Sequence, residues 1–197
     1  MRALLIASAL AAALAPALAQ QTPKAAAPRS ASALAPQWRV DATSSSLGFA
    51  TSIEGAPIRG GFRRWTADIR FDPGNLSGSS IRVVVDTASV SSGDPSRDAT
   101  LQEADWFDTT RSRQAVFQST SIRTAGAGNY EATGTLMMKD RATPVTLPFS
   151  LAITGANADA QGTLTLDRIR LGLGAHIPVD VAPAAVRLSV RVKAARV

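Results

Sequence analysis

The chain has no cysteine in its 197 residues. That absence removes disulfides, thiol nucleophiles and cysteine-based metal sites. It has a single histidine, His176, so a multi-histidine metal centre is excluded. His176 lies in the stretch 172–180, with no G-x-S-x-G nucleophile motif anywhere near it. The glycines at 126, 128 and 134 fall in a hairpin and not at a strand-to-helix turn, so no phosphate-cradling loop is supported. Helical periodicity is nearly missing, no internal repeat is visible, and no long apolar run follows the N-terminal segment. The expectation is a non-enzyme without a catalytic residue, a metal or a cofactor.

What the chain does have is strict two-residue alternation. Val186, Leu188, Val190 and Val192 share one parity, and Arg187, Ser189, Arg191 and Lys193 share the other. Successive side chains of a strand point to opposite faces, so this run has one dry and one wet face. The pattern recurs at Val145-Leu147-Phe149-Leu151-Ile153, at Ile81-Val83-Val85 and at Leu47-Phe49-Thr51-Ile53. Such strands in series predict an all-β fold, a lipocalin-like antiparallel barrel of about eight strands. A closed sheet of about that size can hold a small ligand.

The N-terminus reads as a secretory signal over residues 1–19. Met1-Arg2 is a positive start, Ala3 to Ala15 is apolar, and Ala17-Leu18-Ala19 is a small-residue cleavage site before Gln20. The reading implies a periplasmic location. Residues 20–36 are rich in alanine, proline and serine, with Leu34 the only large apolar residue. They cannot bury enough surface to offset their ordering entropy and are expected to form a flexible tether without contacts to the domain. Residues 37–197 then make one domain with a real core.

The formal charge is +6, and arginine supplies 18 of the 21 basic residues. Most are spaced along strands, as at Arg82, Arg123, Arg187 and Arg191, which describes a solvated outer face and not a nucleic-acid patch. One stretch breaks the β pattern. Asp94 to Arg113 is polar and tolerates a helix, expected near Ser96 to Asp108 with Ser96 as cap. Trp106 and Phe107 give it an apolar side that should anchor it on the barrel. The acidic cluster Glu103, Asp105 and Asp108 sits among arginines and reads as surface ion pairing. A parity slip between Phe62 and Trp65 marks a bend. Lys139-Asp140-Arg141 and Asn157-Ala158-Asp159-Ala160 are expected as turns.

Four motifs in order resemble the YceI-like family of polyisoprenoid- or lipid-binding periplasmic proteins. They are WRVDATSSSLGF from Trp38, RDATLQEADWFDTTRSRQAVFQSTSI from Arg97, GTLMMKDRATPVTLPF from Gly134 and LDRIRLGLG from Leu166. The chain departs from the family pattern at Thr100, where a histidine is usual, at Gln114, where proline is frequent, and at Leu171, where phenylalanine is usual. Its loop from Glu54 to Arg59 is short. The resemblance implies a barrel whose elongated cavity holds a long apolar chain. It also implies, as an alternative, an accessory module for a cytochrome b561-type membrane redox protein.

With the one-sided parity of the strands, this yields a carrier for a polyisoprenoid, an isoprenoid quinone or a fatty-acid-like chain. The expected ligand-binding residues are Phe49, Phe62, Phe117, Leu136, Phe149 and Ile153. A homodimer is a further expectation. A small barrel enzyme stays open as a third reading, and it requires His176 or Asp98 to face the cavity as a base.

Overall fold

The computed structural model describes residues 34–197. The expected signal segment and the tether up to residue 33 lie outside the described residues. The alternating runs form β1 (Gln37–Val40), β2 (Ser46–Ile53), β3 (Ala56–Phe62), β4 (Trp65–Arg70), β5 (Ser80–Asp86) and β6 (Val90–Ser91). After the helix α1 (Pro95–Gln102) come β7 (Gln114–Thr124), β8 (Asn129–Met138), β9 (Arg141–Thr154), β10 (Asn157–Asp167) and β11 (Ala185–Arg196).

All eleven belong to one antiparallel sheet in the order β1-β4-β5-β7-β8-β9-β10-β11-β2-β3-β6. A further pairing of β1 with β11, Trp38 opposite Arg196, closes the ring. The result is a closed eight-stranded antiparallel barrel with one short helix. Eleven strands make eight staves because three staves are broken. β1 and β2 lie in succession along β11, β3 and β4 run beside them, and β5 and β6 run beside those. Viewed this way the barrel is a simple up-and-down meander.

The breaks have local causes. Between β1 and β2, Asp41 N–H bonds Lys193 O at 2.8 Å, and Ser45 Oγ accepts from Lys193 N–H at 2.9 Å. Between β3 and β4, Arg63 and Arg64 interrupt the parity, as the slip between Phe62 and Trp65 predicts. Between β5 and β6, the Asp86 carboxylate caps a short 3₁₀ turn over Thr87–Ser89. Thr87 is fully buried, and its hydroxyl donates to Arg113 O at 2.9 Å.

Several expectations need correction. The strand carrying Ile81, Val83 and Val85 ends at Asp86, because Thr87 turns inward to bond the loop before β7. Residues 157–160 are not a turn but the start of β10, and the reversal sits at Gly155, whose φ of 61° favours glycine. Helix α1 is capped by Asp94, not Ser96, with Arg97 N–H bonding the carboxylate, and it ends at Gln102. The expectation that residues up to 36 make no contact with the domain fails at Ala35 and Pro36. Ala35 is buried and donates its N–H to Gly78 O, while Pro36 O accepts from Phe71 N–H, both at 3.1 Å.

Candidate functional site

The inward-facing parity encloses two apolar cavities along the barrel axis. The upper one lies under α1 and the loop after β10. Its volume is about 160 Å³, and Leu47, Phe49, Phe62, Leu136, Leu166 and Leu188 are among its walls. The lower one has about 90 Å³ and is bounded by Trp38, Ile69, Phe71, Phe149 and Ile153 among others. Larger grooves elsewhere on the barrel are more open and mixed in polarity.

The six expected ligand-binding residues therefore divide. Phe49, Phe62 and Leu136 line the upper chamber. Phe149 and Ile153 line the lower one. Phe117 is placed at the wall of neither and packs with the lower cluster, its ring over the backbone of Gly134. The aromatic residues also do more than line. Phe62 meets Phe107 edge-on at 5.6 Å below the cap, while Phe71 meets Tyr130 edge-on at 5.0 Å at the other end. Tyr130 in turn stacks on Phe149 at 5.6 Å. The first pair belongs to the cluster around the upper chamber and the others to the cluster around the lower one.

Two loops build the cap over the upper chamber. The segment after α1 brings Trp106 and Phe107 onto the barrel, as expected. Phe107 is buried and Trp106 half-buried. The segment 168–184 brings Leu171 and Leu173, both buried in the same cluster. Gly174 joins the two loops. Its N–H bonds Asp105 O at 2.7 Å, its φ is 52°, and a Cβ there would stand 2.9 Å from the Trp106 ring. Lys139 adds a second tie, its ammonium donating to Ala104 O at 2.7 Å and Gly172 O at 3.1 Å.

Residue-by-residue reading misses the most consequential side chain of the cap. Arg168 is 3% exposed and lines the upper chamber. Its Nε donates to Pro183 O at 3.1 Å. Nη1 donates to Leu173 O at 3.1 Å and to Gly174 O. Nη2 donates to Ile177 O at 2.8 Å and Ala182 O at 2.7 Å. A guanidinium has five N–H donors in a rigid fork, and here the fork organises five carbonyls of one loop. The only sequence signal was its place in the LDRIRLGLG motif.

The start of α1 is held by charge. Ser92 donates its N–H at 2.6 Å and its hydroxyl at 2.5 Å to Asp98 Oδ1, and Arg97 Nε donates to Ser92 Oγ at 2.9 Å. The Ser92 hydroxyl bond, foremost, holds the Asp98 carboxyl below its usual range. His176 is exposed, with Nδ1 3.8 Å from Asp105 Oδ2. Neither His176 nor Asp98 lines a chamber, so neither meets the condition that the barrel-enzyme reading sets for a base. Among the described residues no three His, Cys, Asp or Glu side chains converge as a metal site, and no helix is long and apolar enough to cross a membrane.

A family profile described as YceI-like domain matches residues 38–194. Curated relatives include a UPF0312 protein of Vibrio parahaemolyticus, 32% identical over 105 residues, which cover 53% of this chain and 54% of that one. A UPF0312 protein of Ectopseudomonas mendocina is 29% identical over 115 residues, covering 55% and 60%. The chain thus spans about half the length of the curated relatives it matches. Among solved structures, Burkholderia cenocepacia BcnA is 28% identical with a TM-score of 0.75, covering 78% of this chain and 98% of that one. A polyisoprenoid binding domain from Saccharophagus degradans, implicated in plant cell wall breakdown, shares the fold at 14% identity, with a TM-score of 0.66 and coverage of 82% and 99%.

Proposed function

Because the chain belongs to the YceI-like family, we propose that it is a binding protein for an apolar lipid or isoprenoid chain held inside the barrel. The observation that carries this reading is the apolar upper chamber inside the barrel. The one charged group on its wall, Arg168, spends all its donors on backbone carbonyls. Such a wall offers a guest little but apolar contact. Burying each methylene is worth about 0.8 kcal/mol, so a long chain supplies its own affinity without catalytic groups. The description of the Saccharophagus domain as polyisoprenoid-binding supports an isoprenoid chain as the guest. Export through the N-terminal signal would place the carrier in the periplasm, where such a chain needs shelter from water.

A second reading rests on size. Neither chamber reaches the ~300–1,000 Å³ of ordinary small-molecule pockets. A barrel filled by its own side chains would serve as an interaction module, for a membrane redox protein or a second copy of itself. Mass spectrometry of organic extracts from the purified exported protein decides between them. The carrier reading expects an apolar lipid at roughly one per chain. Phe149→Asp should abolish retention, since a charge on the lower wall has no partner. His176→Ala should retain the lipid. A folded native protein that yields no lipid and takes none up from vesicles would hand the function to the interaction module.

A further inference from the structure

The two chambers share no lining residue, and the residues between them are identifiable. Trp65, Val83 and Val190 line the lower chamber yet pack against the cluster surrounding the upper one. Val85, in register opposite Trp65, lines the upper chamber. Trp65 therefore stands where the chambers meet, and it is the largest side chain of the three. Trp38 donates its indole N–H to Phe71 O at 2.9 Å, whereas the Trp65 indole has no such bond among the described residues. Trp65 also follows directly on the break at Arg63 and Arg64, where the stave is interrupted.

Size makes this partition matter. A closed apolar cavity of about 150 Å³ takes a guest the size of benzene, so the upper chamber alone admits about six carbons. A longer chain must pass Trp65 into the lower chamber. We propose that Trp65 is the specificity-determining residue of the barrel: it sets the chain length the protein accepts, by dividing the interior into two chambers that only its displacement joins. This rests on the carrier reading.

The test uses isoprenoid alcohols of one, two and three isoprene units, prenol, geraniol and farnesol, titrated calorimetrically into the exported protein. Prenol fits the upper chamber, and the two longer alcohols must pass Trp65. Apolar burial is worth about fourfold in affinity per methylene when space is free. In the native protein the step from prenol to geraniol should gain under tenfold, because it works against the indole. Trp65→Ala should raise the preference for geraniol over prenol at least tenfold. Trp65→Phe, a milder truncation, should give an intermediate ratio and covers the case in which the alanine variant does not fold. Thr66→Ala, beside Trp65 on the outer face of β4, touches neither chamber and should keep the native ratio. If both Trp65 variants fold and the ratio stays within threefold of native, the partition is overturned while the carrier reading stands. If none of the three alcohols binds native or variant protein, the carrier reading fails and the partition falls with it.

Discussion

Among the described residues, Arg168 bonds more backbone carbonyls than any other side chain. Its five bonds to carbonyls between Leu173 and Pro183 are the internal scaffold of one cap loop. Bonds to a charged group are worth about 1.5–3 kcal/mol each, and the carbonyls left behind are partly buried. Arg168→Met should therefore cost at least about 3 kcal/mol in chemical denaturation. Arg168→Lys should recover only part, because an ammonium has three donors and no fork. A loss under about 1 kcal/mol would mean the loop holds itself. Asp98 makes a pH-dependent contribution. Its folded pKa lies below the unfolded value, chiefly through the Ser92 hydroxyl. The stabilisation is thus complete above the unfolded carboxylate pKa of about 3.9 and is lost as pH falls through the folded value. Asp98→Asn should flatten this part of the acid-unfolding profile below about pH 4, and an unchanged profile would locate the acid sensitivity elsewhere. At this scale the sequence showed which residues are apolar and inward, such as Phe49, Phe149 and Ile153. It could not show that Phe117 would pack beside a chamber and not on its wall. That depends on Gly134 leaving room on the neighbouring strand.

The elements follow the alternation, and their departures from it have physical causes. The ladder between β9 and β10 stops at Phe149 opposite Gly162, although both strands continue toward the cap. The next pair would need an N–H from residue 148, and that residue is Pro148. Pro144 withholds a second donor on the same edge. Pro148→Thr should extend the ladder, visible as slowed amide exchange at Thr163 and Thr165. Unchanged exchange there would show that the strands diverge for another reason. Such a proline is legible in a sequence only once the neighbour of each strand is known. The bend at Arg63 and Arg64 was legible because parity slips there. The turn at Thr87–Ser89 was not, since its cause is Thr87 bonding Arg113 O, a residue 26 positions away.

For the whole molecule, closure joins opposite ends of the domain's chain. Three residue pairs join β1 to β11 and five more join β2 to it, with Arg196 stacked over Trp38 at 5.1 Å. Long-range pairing of this kind is paid for in loop-closure entropy and only then rewarded by contacts. Ala35 and Pro36 reinforce the same end, so contacts with the barrel begin before the domain boundary read from composition. By itself the sequence determined the dry and wet face of nearly every strand, and hence an apolar interior and a charged exterior. Those follow from local geometry, because a strand's side chains alternate whatever surrounds it. The tertiary structure alone decided that the interior is divided in two, with Trp65 between the halves. Inside a closed ring, side chains from opposite staves compete for the same close-packed volume, so whether an inward residue lines a cavity or divides the space depends on what faces it across the barrel.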